Sequence, residues 1–138
     1  MQPKTAAQLV QEAKQRIENL SVEQVVAERE RGDAVIVDIR EPEEQRLHGV
    51  IPGAVSAPRG MLEFYADPAS PYHRPEFEPN RRVILHCAAG GRSALAADTL
   101  QQMGYTNVAH LEGGFNGWRE AGQPITTQET DSPESAQR

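Results

Sequence analysis

The sequence is poor in cysteine, because Cys87 is the only one among 138 residues. A single cysteine cannot form an intramolecular disulfide, so this thiol is left free to react. The four histidines are too dispersed along the chain to suggest a metal site, and no close pair occurs among them. We therefore expect no bound metal and no stabilising cross-link.

Long apolar runs and clustered positive charge are missing as well. No stretch approaches the roughly 20 apolar residues of a membrane-spanning helix, and the amino terminus has no secretory signal pattern. The net charge is −6, and the 14 basic residues are scattered rather than gathered in a stripe. These absences argue against membrane or nucleic-acid binding and predict a cytoplasmic protein. The length suits one globular domain.

Two helices are predicted at the start of the chain by capping boxes, in which side chains satisfy the free backbone amides of a first helical turn. The two pairs are Thr5 with Gln8 and Ser21 with Gln24. Apolar residues at three- and four-residue steps follow the first pair and predict an amphipathic helix over residues 1–20. The second pair begins another short helix.

Beyond these helices, apolar β-branched segments alternate with helical ones. Residues 34–37 and 83–86 are typical of strands buried on both faces, and residues 54–57 and 107–111 are weaker strand candidates. A helical pattern covers residues 93–103. The alternation predicts an α/β fold with an open parallel β-sheet flanked by helices on both faces.

Two segments interrupt or end this pattern. Residues 58–79 contain five prolines together with large apolar side chains, so we expect an ordered excursion that packs over the domain. Residues 126–138 are polar and are expected to be disordered. The main domain is therefore predicted to span residues 21–125.

The segment with the most chemical content follows the second strong strand. It contains the following residues: Cys87, Ala88, Ala89, Gly90, Gly91, Arg92 and Ser93. Ligands bind at the carboxyl edge of parallel sheets, and the two glycines allow successive amides to turn inward as an anion-binding nest. The following helix start adds a favourable field for a negatively charged sulfur. This context predicts a reactive cysteine nucleophile, and the alternative is a small buried side chain without chemistry.

Four motifs occur in order along the chain. They are Asp-Ile-Arg-Glu-Pro-Glu-Glu at 38–44, His-Gly-Val-Ile-Pro-Gly-Ala at 48–54, the loop at 87–93, and Gly-Gly-Phe with a tryptophan at 113–118. With these motifs the chain resembles the rhodanese family of sulfurtransferases over roughly residues 21–124. The resemblance implies a rhodanese-like fold in which Cys87 attacks a sulfane-sulfur donor such as thiosulfate and becomes a persulfide. It also implies that the amides of residues 88–92 hold the persulfide, with no cofactor.

Arg92 has two interpretations. It binds an anionic donor, or it forms a structural ion pair with Asp38, Glu43 or Glu44. The resemblance also implies that a basic residue inside the loop favours thiosulfate, whereas two alanines stand there in this chain. This departure argues against thiosulfate as the natural donor.

Other residues are candidates for lining the pocket. Arg59, Asp38 and Arg40 lie near the predicted carboxyl edge, although an arginine in a loop is more often merely solvated. His86 precedes the nucleophile, and strand alternation predicts that its side chain faces away from Cys87. We therefore expect His86 to have a structural role.

Two other functions remain open from the sequence. Protein tyrosine phosphatases share the His-Cys pair and the Arg-Ser pair, but they place five residues between cysteine and arginine where this chain has four. A non-catalytic rhodanese-like sulfur carrier or binding module is the second alternative. In a transferase, the expected partners are a small sulfur donor and a thiol or protein acceptor, because one cysteine cannot resolve its own persulfide into a disulfide.

Overall fold

The computed structural model describes residues 2–127, which form a parallel sheet between two layers of helices. The elements are α1 (Ala6–Arg16), β1 (Glu18–Leu20), α2 (Val22–Arg31), β2 (Ala34–Asp38), α3 (Pro42–His48), β3 (Val55–Ser56), α4 (Leu62–Ala66), β4 (Arg82–His86), α5 (Gly91–Gln102), β5 (Val108–Leu111) and α6 (Gly114–Glu120). The strand order is β1-β5-β4-β2-β3, and every pairing is parallel. The predicted α/β fold with an open parallel sheet is confirmed.

The strands divide the core into two clusters by simple alternation. In β4, Val83 and Leu85 belong to one cluster and Ile84 to the other. Helices α1, α4 and α5 pack against the first cluster, on what we call the α5 face. Helices α2 and α6 cover the opposite side, the α6 face. Cys87 continues the alternation of β4 and lies on the α5 face.

Both predicted capping boxes form at the helix starts. The helix predicted over residues 1–20 is shorter, however, because α1 ends at Arg16 and β1 begins two residues later. The side-chain amide of Asn19 donates hydrogen bonds to the carbonyl groups of Lys14 and Ile17, which stabilises the turn out of the helix. The three residues of β1 then pair with β5 at the edge of the sheet.

Helix α1 is fixed to α5 by packing and by charge. Ala13 and Ile17 are buried in the cluster of the α5 face. Arg16 donates two hydrogen bonds to Asp98 of α5, at 3.0 and 2.8 Å. The side-chain hydrogen bond with Arg16 lowers the pKa of Asp98. The pair therefore links the first helix to the helix that follows Cys87.

The proline-rich excursion over residues 58–79 is packed against the α5 face. It contains a 3-10 turn at Arg59–Met61 followed by α4. Leu62 and Phe77 are buried, and the Tyr105 hydroxyl donates a 2.8 Å hydrogen bond to the carbonyl of Ala66. Burial of apolar groups fixes this segment despite its prolines.

The end of the described chain returns to the domain. Thr126 pairs with Val50 in an isolated antiparallel bridge, and the Trp118 indole donates a 2.7 Å hydrogen bond to the Pro124 carbonyl. The rest of the segment predicted to be disordered, residues 128–138, lies outside the described residues. Among helices of the described part, none is long and apolar enough to cross a membrane.

Candidate active site

Cys87 lies directly after β4, at the carboxyl edge of the sheet, and is 1% exposed. Its Sγ accepts hydrogen bonds from the amides of Gly90 at 3.1 Å and Ser93 at 3.4 Å. Gly90 has a φ of 109°, and a Cβ at this position would overlap the carbonyl oxygen of Glu112. Glycine is therefore needed for the turn that aims the first of these amides at the sulfur.

The start of α6 holds the same loop from its other side. The amides of Phe115 and Asn116 donate hydrogen bonds to the carbonyl groups of Cys87 at 2.8 Å and Ala88 at 3.0 Å. Gly114 has a φ of 64°, and a Cβ there would collide with both carbonyl groups. The Gly-Gly-Phe motif thus serves to bring α6 against the backbone of the loop.

The other predicted loop residues do not donate a backbone hydrogen bond to Sγ. Over residues 2–127, the amides of Ala88, Ala89, Gly91 and Arg92 donate no hydrogen bond to this atom. Ala89 is exposed, and the other three are half-buried. The loop therefore presents its most open part at Ala89.

Arg92 forms an ion pair rather than pointing freely into the loop. Its two terminal nitrogens donate to the two carboxylate oxygens of Glu44, at 2.8 and 2.9 Å. The Arg92 hydrogen bonds lower the pKa of Glu44 to about 2, and the same contact raises the pKa of Arg92. Of the partners considered from the sequence, the structure selects Glu44 over Asp38 and Glu43.

Arg40 is buried, so the expectation of a solvated arginine is wrong for this residue. It is 1% exposed, and its guanidinium donates to Asp38 at 2.8 and 3.0 Å and to the Gly49 carbonyl at 2.8 Å. The guanidinium carbon also lies 4.1 Å from the centre of the Phe115 ring. A carboxylate, a carbonyl and an aromatic face together compensate the buried charge.

His86 packs on the α6 face, opposite the side occupied by Cys87. Its ring stacks on Phe115 with 6.3 Å between ring centres, and its Nε2 lies 3.8 Å from Asp38 Oδ2. Burial lowers the pKa of His86. This placement follows from strand alternation and leaves the His86 ring away from the sulfur.

Arg59 is docked at the end of β2 through its backbone, where its amide donates to the Ile39 carbonyl at 3.0 Å. Its guanidinium donates to Glu63 at 2.8 Å and lies 3.5 Å from the Thr99 hydroxyl. The side chain is thus bonded to α4 and α5. Within residues 2–127, the Arg59 side chain makes no hydrogen bond to Cys87.

A buried polar chain that the sequence did not predict extends from the nucleophile. Ser93 Oγ lies 3.5 Å from Cys87 Sγ and 2.8 Å from His110 Nδ1. On the other side of the ring, His110 Nε2 lies 2.8 Å from Asn19 Oδ1 and 3.2 Å from Glu112 Oε1. Ser93 and His110 are both fully buried.

Strand alternation was the signal that could have found His110. In β5, Val108 belongs to the α5 face, whereas Ala109 and Leu111 belong to the α6 face. His110 therefore projects to the α5 face, the side on which Cys87 and α5 lie. From its place in the sequence, His110 is a candidate only for metal binding, and the described part of the chain holds no cluster of potential metal ligands.

A polar cleft of about 360 Å³ lies at the opposite end of the sheet. It is lined by Glu18, Glu28, Arg31, Asp33, Arg82 and Asn107. Its centre is an ion-pair network in which Arg82 bonds both Glu18 and Glu28. The cleft is remote from Cys87, because Arg82 begins β4 and Cys87 follows its end.

The model of the rhodanese-like domain matches residues 21–121, which include the whole Cys87 loop and α6. The chain belongs to the rhodanese-like family. A sulfurtransferase from Allochromatium vinosum is 34% identical over 113 residues, covering 82% of this chain and 95% of that protein. The relatives at this level of identity therefore include a sulfurtransferase.

Solved structures of related proteins have the same fold. A polysulfide-sulfur transferase homodimer from Wolinella succinogenes is 27% identical, with a TM-score of 0.72 over 89% of this chain and 87% of that one. A human single-domain sulfurtransferase is 26% identical, with a TM-score of 0.65 over 74% and 95% of the two chains. A Rhodopseudomonas palustris protein of unknown function, described as a possible tyrosine phosphatase, is 46% identical with a TM-score of 0.83 over 91% and 100%.

Proposed function

We propose that this rhodanese-like domain transfers sulfane sulfur from a donor to a thiol or cyanide acceptor through a persulfide on Cys87. The observation that carries the proposal is the pair of amides, from Gly90 and Ser93, that donate to Sγ. Such donors favour a negatively charged sulfur over a neutral thiol. The sulfurtransferases among the relatives support the same chemistry.

The reaction has two balanced steps. The Cys87 thiolate attacks the outer sulfur of thiosulfate, so that a new S–S bond forms, the donor S–S bond breaks and sulfite leaves with the electron pair. The product is a Cys87 persulfide anion. An acceptor nucleophile such as cyanide then attacks the outer sulfur, thiocyanate leaves and the Cys87 thiolate is regenerated. A polysulfide donor enters the same scheme with a shorter polysulfide as the leaving group.

We assign the outer sulfur of the persulfide to the amides that do not contact Sγ. These amides belong to Ala88, Ala89, Gly91 and Arg92, and the loop that carries them curves around the sulfur. Consecutive amides in a loop of this type form an anion-binding concavity. The same loop would thus stabilise both the thiolate and the persulfide.

Polysulfides or persulfides are the donors we favour. Thiosulfate carries two negative charges, and the one cationic side chain of the loop, Arg92, is already paired with Glu44. A persulfide or a singly protonated polysulfide carries only one negative charge and needs less charge compensation on approach. The polysulfide-sulfur transferase among the solved relatives agrees with this preference.

Phosphatase activity is the second candidate, because one solved relative is described as a possible tyrosine phosphatase. Phosphoryl transfer calls for a guanidinium that binds the equatorial phosphate oxygens in a bidentate manner. Arg92 instead uses both terminal nitrogens on Glu44. The loop also has four residues between Cys87 and Arg92, one fewer than the phosphatase spacing.

Intact-mass measurement after treatment with polysulfide or thiosulfate tests the proposal. We expect the mass of one added sulfur, its loss on cyanide treatment with release of thiocyanate, and no addition to Cys87→Ala. Phosphate release from an aryl phosphate without sulfur uptake would favour the phosphatase. Retention of a partner protein independently of Cys87, with neither reaction, would favour a binding module.

A further inference from the structure

The orientation of Asn19 determines which nitrogen of His110 carries its proton. The Asn19 amide nitrogen donates to the carbonyl groups of Lys14 and Ile17, at 3.0 and 3.2 Å. Its oxygen therefore faces His110 Nε2 at 2.8 Å. Because this oxygen only accepts hydrogen bonds, Nε2 must be the protonated nitrogen.

A neutral His110 then has a bare Nδ1, which fixes the Ser93 hydroxyl. Ser93 donates its proton to Nδ1 over 2.8 Å and presents oxygen lone pairs to the sulfur, 3.5 Å away. Burial lowers the pKa of His110, which favours this neutral ring at rest. A Cys87 thiol can donate to Ser93 in this arrangement, so the proton path from Sγ to Nδ1 is continuous.

We propose that His110 is a positioning residue that orients the Ser93 hydroxyl and receives the Cys87 thiol proton through it. The S–H bond of Cys87 breaks as a new O–H bond forms at Ser93. The original O–H bond of Ser93 breaks as an N–H bond forms at Nδ1, and the electron pair stays on sulfur. The role of this relay in turnover rests on the proposed function, because it prepares the thiolate that attacks the donor.

The Cys87 thiolate produced by this proton transfer is stabilised by hydrogen bonds to its sulfur. After the two proton movements, the Ser93 hydroxyl points its new proton at the thiolate. Together with the amides of Gly90 and Ser93, it becomes the third donor to Sγ. Hydrogen bonds to the charged form of a group favour that form.

The charged groups that face His110 act in opposite directions. Glu112 directly follows β5, and its Oε1 lies 3.2 Å from His110 Nε2. Its carboxylate favours the imidazolium form of His110, whereas Lys14 of α1 disfavours that form. Lys14 Nζ lies 2.7 Å from Glu112 Oε2 and so partly neutralises that carboxylate. A Cys87 thiolate adds a second negative charge beyond Ser93. The geometry therefore pairs a buried base with a nearby carboxylate and couples it to the nucleophile.

Ultraviolet thiolate absorbance against pH tests the relay directly, because Cys87 is the only cysteine in the chain. The comparison uses His110→Asn, Ser93→Ala and the exposed-site control His48→Asn. Asparagine at 110 keeps an acceptor near the position of Nδ1 but no base. We expect both relay variants to form about tenfold less Cys87 thiolate at neutral pH, because each removes one charge-assisted hydrogen-bond partner from the relay. The control variant should match the original protein.

Glu112→Gln keeps Cys87, Ser93 and His110 and alters a side chain that is about half exposed, so it is the variant least expected to affect folding. This variant removes the carboxylate that favours the imidazolium form of His110. We therefore expect it to form less Cys87 thiolate at neutral pH than the original protein, by a smaller factor than the two relay variants. Circular dichroism melts show which variants are folded. If His110→Asn does not fold, Ser93→Ala and Glu112→Gln still decide the outcome.

Sulfur uptake by intact mass is measured on the same samples to separate the two proposals. Folded relay variants that titrate like the original protein overturn the relay, whatever their sulfur uptake. Shifted titrations in a protein that never takes up sulfur uphold the relay and reject the sulfur-transfer function. Shifted titrations with a parallel shift in the pH dependence of sulfur uptake support both.

Discussion

Glu44 connects two helices at the edge of the Cys87 loop. Its carboxylate accepts a hydrogen bond from the Glu41 amide at the start of α3 and binds Arg92 in the first turn of α5. A carboxylate near a helix start is also favoured by the helix dipole. At the residue scale, this one side chain therefore fixes the position of Arg92.

Glu44→Gln is expected to reduce stability in a pH-dependent way. The pKa of Glu44 is about 2 in the folded chain, below its ordinary value of 4.5, so its contribution is full above about pH 4.5 and is lost as the pH falls towards 2. The side chains of Arg92 and Glu44 are 40% and 30% exposed, which limits the effect to about 1 kcal/mol. Thermal denaturation at several pH values measures it.

Glu23→Gln, at an exposed position in the first turn of α2, controls for the loss of a carboxylate near a helix start. The difference in melting temperature between the original protein and Glu44→Gln should shrink across the pH window below 4.5. A difference that persists unchanged to pH 2 would contradict the assignment of this stability to the ion pair with Arg92.

At the element scale, the loop between β4 and α5 is constrained on both sides by backbone contacts. Gly90 lies against the Glu112 carbonyl, and the first amides of α6 bind the carbonyl groups of Cys87 and Ala88. Ala89 is the exposed residue between these anchors. Its side chain can therefore be changed without rebuilding the loop.

Ala89→Lys is expected to improve thiosulfate as a donor, because a cation is added where a dianion approaches. We expect KM for thiosulfate to fall by about three- to tenfold at low salt, an effect that added salt reduces. The uncharged control Ala89→Met has a similar length. Steady-state thiocyanate formation measures both variants, and equal changes in the two would exclude a charge effect.

At the scale of the whole molecule, α1 and β1 belong to the structure of the candidate site although the family match begins at residue 21. Lys14 bonds Glu112, and Asn19 bonds His110. The pairing of β1 with β5 holds these contacts in register. Stability and the environment of Cys87 are therefore coupled through α1 and β1.

A double-mutant cycle with Arg16→Gln and Asp98→Asn tests the attachment of α1 to α5. We expect a favourable coupling free energy, because the Asp98 side chain is only 12% exposed although that of Arg16 is 55% exposed. The control cycle is the exposed pair Lys4 and Glu12 within the first part of the chain, for which the expected coupling is near zero. Urea denaturation measures both cycles, and equal couplings would refute a special role for Arg16 and Asp98.

The parts of the fold predicted from the sequence are those encoded by local patterns. The apolar runs at 34–37 and 83–86 lie within β2 and β4, and the capping boxes mark two helix starts. Strand β1 was missed because it has three residues, of which only Leu20 is buried. Its identity as a strand comes from pairing with β5, which lies about ninety residues away along the chain.

In the candidate site, too, the part that could be predicted from the sequence is the part that lies in one continuous segment. Cys87 and its glycines are contiguous, so their arrangement could be anticipated from one segment. Burial of Arg40 depends on a carbonyl and a ring from distant segments, Gly49 and Phe115. The contact of His110 with Ser93 requires the register of β5 relative to β4 and α5, which a single sequence does not specify.

The two carbonyl contacts at Gly90 and Gly114 also restrict how this scaffold can diversify. A side chain at either glycine would collide with a backbone carbonyl group, so both positions are closed to substitution. The longer loop that phosphatase spacing demands would therefore have to keep both glycines in place, and the exposed Ala89 is the position where we expect an added residue to be accommodated.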